Sequence, residues 1–279
     1  MLKLENVTKR RSYFLLESIN FLLPAGYIMG LIGENGAGKT TLLHILSGLY
    51  SPDGGRLWLD EKEYGEQESS IKQECGLVLH EEMFDANQTL LSNANHYGSF
   101  YSKYQEERLI DYAVRFQLDL RKKYKQLSKG EKLKFAMAFA LSYQPRMLLL
   151  DEPTANFDRE FRQVFFDILR EYTASGKNSV ILSTHLMSEI DRVADYVLFL
   201  KAGKQQLFGD IETIRGDYRM VAGEAYKIQL LKNKVIHMES GEYGSKALIY
   251  HSGRPMDPML KVWEPSMEEI MYYMVKGGS

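Results

Sequence analysis

Eight consecutive residues constrain this chain more than any others: Gly33-Glu34-Asn35-Gly36-Ala37-Gly38-Lys39-Thr40, a full G-x-x-x-x-G-K-[ST] match. The motif is preceded by the apolar run YIMGLIG, which reads as a strand. It is followed by KTTLLHILSGL, whose Leu42, Leu43, Leu46 and Leu49 recur at helical spacing. Strand, glycine-rich turn and helix in that order define a phosphate-binding loop. The glycines let successive N–H groups point inward, and the helix start adds its positive end. Lys39 is expected to neutralise β and γ phosphates and Thr40 to ligate Mg²⁺, with Thr41 beside it. Lys39 itself is read as a solvated loop lysine, so its loss should spare the fold.

A second charged site follows. Met147 to Leu150 is an apolar strand ending in Asp151 and Glu152, a costly place for two acids unless a cation or hydrogen bonds compensate. Asp151 suits a Mg²⁺ role. Glu152, one residue on and so on the other face of the pleat, is expected to face the γ-phosphate as general base for an attacking water. Two acids capping the next helix would be the plainer explanation, and the phosphate loop in the same chain outweighs it.

The remaining pattern is α/β. LKLENV and FLLESINFLL precede the loop as short strands. Beyond it, Gly76–Leu79, Met147–Leu150, Val180–Ser183 and Tyr196–Leu200 read as strands between amphipathic stretches at 105–116, 131–141, 159–172 and 186–193. Such alternation predicts a mostly parallel sheet. From about Asp217 the texture changes to short alternating runs, AYKIQLL, KVIHMES and KALIYHS, closed by a helix, PSMEEIMYYMVK. About 60 residues is a marginal core, so this appendage should lean on the first domain or on a second copy.

Charge and composition narrow the function classes. Thirty-five basic residues against 37 acidic leave a net charge of −2, which gives no global attraction to nucleic acid or anionic lipid. No apolar stretch approaches the ~20 residues of a membrane span. Cys75 alone allows no intramolecular disulfide, and MLKLENVTKR lacks a signal core. A cytoplasmic chain is expected.

With these motifs in order, the chain resembles the ATP-binding cassette ATPases over most of residues 2 to 209. Leu127-Ser128-Lys129-Gly130-Glu131 is similar to that family's signature, Asn156-Phe157-Asp158 to the end of its D-loop, and His185 after SVILST to its switch histidine. The resemblance implies a P-loop NTPase fold with an antiparallel N-terminal β subdomain over residues 1–214. It places a helical subdomain at about 82–145 and a small α+β accessory or dimerisation domain at 215–279. It further implies ATP and Mg²⁺ as cofactors and an ATP-sandwich dimer with a second copy. Ser128, Gly130 and Glu131 would contact the partner's nucleotide, and Asp158 and His185 would serve catalysis. A multi-span permease would be the membrane partner, met through the aromatic arm around Phe84, Tyr97, Phe100, Tyr101 and Tyr104, and the tail resembles exporter ATPases. His80 stands where the family has a glutamine that touches metal and water, Lys129 replaces a common glycine, and Glu131 a common glutamine. The adenine platform falls on Tyr13, with Arg11 second. A P-loop kinase would share Lys39 and Asp151 but has no use for the signature or His185. A soluble cassette acting on ribosomes or DNA would bring a basic surface.

Overall fold

The computed structural model describes residues 1–65, 67–79, 83–241, 244–251 and 257–277. In chain order the first 217 residues give β1 (Leu2–Arg11), β2 (Phe14–Leu23), β3 (Ile28–Ile32), α1 (Lys39–Leu46), β4 (Gly54–Leu59), β5 (Lys62–Glu63), α2 (Glu68–Glu74) and β6 (Cys75–Val78). There follow α3 (Leu90–Gly98), α4 (Glu106–Arg115), α5 (Lys129–Ser142), β7 (Met147–Asp151), α6 (Arg159–Thr173), β8 (Ser179–Thr184), α7 (Met187–Val193), β9 (Tyr196–Lys201), β10 (Lys204–Asp210) and α8 (Ile211–Asp217). Among the described residues the strands form one sheet in the order β5-β4-β1-β2-β10-β9-β3-β8-β7-β6. Its inner part is parallel, β9 to β3, β3 to β8, β8 to β7 and β7 to β6. The outer part, β5, β4, β1 and β2, is antiparallel. The parallel strands β3, β7 and β8 are buried along their whole length, which explains why they read as continuous apolar runs rather than alternations.

Helices α3, α4 and α5 share a core with α6 and one face of the sheet, filled by Phe116, Phe135, Phe161, Phe165 and Phe166. Ser128 starts α5 through a reciprocal cap: its hydroxyl accepts from the Glu131 N–H at 3.2 Å, and its own N–H donates to Glu131 Oε2 at 2.8 Å.

The chain from residue 218 forms a second sheet, β12-β13-β11-β14, from β11 (Tyr218–Gly223), β12 (Val235–Gly241), β13 (Gly244–Tyr250) and β14 (Lys261–Trp263), with α9 (Ala225–Gln229) and α10 (Met267–Gly277). One expectation fails here: AYKIQLL, read as an alternating run, holds the helix α9. Ile228 and Leu231, three residues apart, face Val221 and Ile249, a helical spacing that a short apolar run conceals. The strand lies one step earlier, in YRMVAG, whose Met220 and Val221 point to opposite faces of the sheet.

Met267, Ile270, Met271 and Tyr273 of α10 share one cluster with Ile32, Ile190, Phe199 and Ile214, so the second sheet leans on the first. Ser266 and Glu269 cap α10 reciprocally, and Lys201 Nζ donates to the Val275 carbonyl at 2.7 Å. A chain ending at Gly216 would re-expose this cluster at about 1.5–3 kcal/mol per large side chain. The expected result is a lower melting temperature and self-association by light scattering. Melting identical to the full chain would show that the cluster carries no stability.

Candidate functional site

The phosphate loop leaves the end of β3 and enters α1 with its backbone in conformations that only glycine takes without strain. Gly36 and Gly38 have φ of 80° and 108°. At Gly33 a Cβ would lie 2.5 Å from the Leu200 carbonyl, and at Gly38 one would lie 2.7 Å from the Phe14 ring. The loop and its surroundings frame a cavity of about 660 Å³, lined by Glu34, Asn35, Gly36, Gly38, Lys39, Thr40 and Thr41. Asp151 and Glu152 close one side, and Arg11, Ser12 and Phe14 the other. Ala37 is buried, its N–H donated to the Glu34 carbonyl at 3.1 Å.

Lys39 corrects the expectation of a solvated lysine. It is 5% exposed; its Nζ donates to the carbonyl of Gly33 at 2.8 Å and of Glu34 at 3.4 Å, and lies 3.4 Å from Glu152 Oε1. Buried backbone carbonyls at a tight turn need a donor, and the ammonium supplies it.

The two acids face the same cavity, not opposite sides of a pleat. β7 ends at Asp151, and Glu152 takes a left-handed conformation, φ 44° and ψ 44°, which swings its side chain round before Pro153 begins a single 3₁₀ turn. Ser183 holds this strained residue: its carbonyl and hydroxyl accept the Glu152 N–H at 3.1 and 3.0 Å. The same hydroxyl donates to Asp151 Oδ1 at 2.5 Å, while Asp151 Oδ2 accepts from Thr40 Oγ1 at 2.8 Å. Sequence reasoning missed Ser183. Only the β7–β8 register, which sets Asp151 opposite Ser183, reveals it.

His185 follows β8, the strand between β3 and β7, and its Nδ1 lies 3.2 Å from Glu152 Oε2. Glu152 thus sits between Lys39 and His185. The other sequence candidates stand apart from this cavity. Ser128 and Glu131 cap α5, and Gly130 packs so closely that a Cβ would meet the Asn156 carbonyl at 2.8 Å. A backbone N–H from Ser128 and the nearby Lys122 hold the Glu131 carboxyl below its usual range. Asp158 caps α6 by accepting from the Phe161 N–H at 2.7 Å. Tyr13 is fully exposed and does not line the cavity, whereas Arg11 does, with its guanidinium 4.5 Å from the Tyr50 ring centre. His80 lies outside the described residues.

The donor set fits Mg²⁺. Thr40 and Asp151 offer two hard oxygens 2.8 Å apart, and among the described residues no group of three His, Cys, Asp or Glu converges to hold a metal without other ligands. Mg²⁺ is typically held by one or two protein oxygens, with phosphates and water completing its octahedron. A nucleotide phosphate cradle, a Mg²⁺ pair and an adjacent carboxylate together define a P-loop ATPase.

Comparison with known proteins narrows the class. The profile described as ABC transporter matches residues 16–155. The chain is 34% identical over 222 residues to the ABC transporter ATP-binding protein MJ1023 of Methanocaldococcus jannaschii, covering 76% of this chain and 79% of that one. It is 27% identical to the ABC transporter ATP-binding protein NatA of Bacillus subtilis, covering 74% and 86%. With the Nod factor export ATP-binding protein I of Rhizobium leguminosarum it shares 30% identity over 68% of this chain and 62% of the relative. Among solved structures, an ATP binding subunit of an ABC transporter superposes with a TM-score of 0.72 at 22% identity, covering 77% and 92%. The dimeric cassette MJ0796 gives 0.68 at 23%, covering 76% and 99%; at these identities both speak for the fold. The chain belongs to the ABC transporter family, as an ATP-binding, ATP-hydrolysing subunit that uses Mg²⁺. Among the described residues no helix is long and apolar enough to cross a membrane.

Proposed function

We propose that this subunit powers an exporter, working as two identical copies beneath a separate multi-span permease at the inner face of the cell membrane. The observation that carries the hydrolytic assignment is Glu152, held between Lys39 and His185 beside the Thr40–Asp151 pair. In this reading Lys39 exchanges the Gly33 and Glu34 carbonyls for phosphate oxygens, which frees the Glu152 carboxylate to take a proton from the attacking water. In the same reading His185 donates to the γ-phosphate, a role supported by its contact with Glu152. Bound Mg²⁺, held by Thr40 and Asp151, supplies charge neutralisation across the phosphates. Ser128, Gly130, Glu131 and Asp158 complete the site of the second copy, a role supported by the positive end of the 14-residue helix α5, whose first residues do not line the chain's own phosphate cavity. Export is supported by the relative named for Nod factor export; cargo choice falls to the permease.

The permease contact is assigned to an aromatic groove of about 600 Å³ between α2 and the helical region, lined by Met83, Phe84, Tyr97, Phe100, Tyr101 and Phe139. Phe100 is 67% exposed at the groove's edge, so the apolar lining continues to the surface. Pulling the full-length chain from native membranes should recover a multi-span polypeptide, and Phe100→Glu should lower that recovery at least about tenfold, the cost of charging one apolar anchor, with ATP affinity unchanged. Recovery of the native chain without any integral membrane polypeptide would defeat the transport assignment.

A further inference from the structure

Beneath the site, a second contact joins the two loops that carry Glu152 and His185. Glu189, in α7, is 3% exposed. Its Oε2 accepts from the Thr184 hydroxyl at 2.7 Å, and the same hydroxyl oxygen accepts the Leu186 N–H at 3.0 Å, so the turn bearing His185 hangs on this carboxylate. Its Oε1 faces Arg162 Nε at 3.8 Å. Arg162, in α6, donates through Nη2 to the carbonyls of Thr154 and Phe157, at 3.3 and 3.4 Å, in the segment that follows Glu152.

Two features set this pair apart from an ordinary ion pair. Arg162 Nε and Glu189 Oε1 are buried without a hydrogen-bond partner among the described residues, and 3.8 Å is too long for a bond between them. Burying the Glu189 carboxylate is costly, and an ion pair 3.8 Å long to an arginine still a third exposed returns little, so stability does not explain it. Its placement does. One partner grips the backbone after Glu152, the other grips Thr184 next to His185, and the Glu152–His185 contact at 3.2 Å closes the circuit on the cavity side.

We infer that Arg162 and Glu189 are positioning residues of the ATPase, a charged tie across the ends of β7 and β8 that sets His185 in register with Glu152. The inference rests on the roles assigned above to those two residues. Neither tie residue lines the cavity, so ATP binding through the phosphate loop is independent of them. Geometry at the reacting centre is not, since a 1 Å misplacement can cost about 10²-fold in rate.

The test is ATP turnover of the full-length chain, titrated with ATP in excess Mg²⁺, for Arg162→Gln, Glu189→Gln, the double variant and Thr184→Val. Each single variant is expected to lose about 10- to 10²-fold in kcat with KM for ATP within about twofold, the scale of an ångström's misplacement. The double variant should be no worse than its poorer parent, because the tie acts as one unit. Thr184→Val breaks the tie at its far end while leaving every charge in place, so it decides the matter if a charge variant fails to fold. Native kcat in Thr184→Val, or kcat and ATP affinity falling together, overturns the inference. Glu152→Gln in the same assay separates the two levels. If it retains turnover, the underlying assignment fails. If it is inactive while the tie variants run at native rate, only the tie fails.

Discussion

Glu152→Gln should bind ATP and fail to hydrolyse it. A general base contributes about 10² to 10⁴ in rate, which at 1.36 kcal/mol per decade is roughly 3 to 5 kcal/mol of barrier. The amide keeps the shape of the side chain and its contact with His185 but cannot accept the water's proton. It also removes one negative charge from beside the γ-phosphate and loosens Lys39 from its partner at 3.4 Å, and both changes favour bound ATP. Equilibrium binding should hold or tighten while single-turnover hydrolysis falls by two to four decades. If Ser128 completes the site across two copies, the trapped ATP becomes a bridge. Size exclusion should then show an ATP-dependent shift from monomer to dimer in Glu152→Gln, cancelled by adding Ser128→Arg. Turnover within threefold of the native chain would remove Glu152 from the base role. A variant that stays monomeric with saturating ATP and Mg²⁺, also in the presence of the permease, would count against the shared site.

The motif residues were legible because their chemistry is written in adjacent positions. A glycine-rich turn, a lysine and a threonine between a strand and a helix admit few structures, and the cavity gathers Glu34, Asn35, Lys39, Thr40, Asp151 and Glu152 as that motif demands. What the sequence concealed depends on register and on backbone dihedrals. Ser183 sits in an apolar strand and gains its role only because β7 and β8 pair with Asp151 opposite it. The side-chain direction of Glu152 follows from a left-handed φ that pleat counting cannot foresee. Arg162 and Glu189 lie 27 positions apart on two amphipathic helices, where each passes for a solvated charge. In the tail, a seven-residue run was too short for its period to separate helix from strand. The signature residues show the converse: the resemblance assigns Ser128 and Glu131 to a partner's nucleotide, and a single chain displays them as a helix cap.

Lys39→Ala should cost both stability and nucleotide binding, and the first loss separates the buried lysine of the structure from the solvated one that the motif suggests. Its charge-assisted bond to the Gly33 carbonyl, 2.8 Å long, is worth about 1.5–3 kcal/mol, because a buried carbonyl is left without a donor once the ammonium is gone. At about 2–4 °C per kcal/mol for a chain of this size, the melting temperature without nucleotide should fall by roughly 3–12 °C. ATP affinity should drop by about 10²-fold or more, since bonds to the β and γ phosphates are lost together, each of similar strength. The two effects have one origin: the lysine that donates to the loop carbonyls is the lysine assigned to the phosphates. A cycle with Glu152→Gln makes this quantitative. The Lys39–Glu152 pair is nearly buried on the lysine side, so the stability losses of the single variants should not add, with a coupling of about 0.5–3 kcal/mol. Calorimetry of the four proteins measures it. Strict additivity with an unchanged melting temperature would return Lys39 to the surface. Full turnover in Lys39→Ala would remove it from the phosphates, and no role for the glycine-rich loop in catalysis would survive that result.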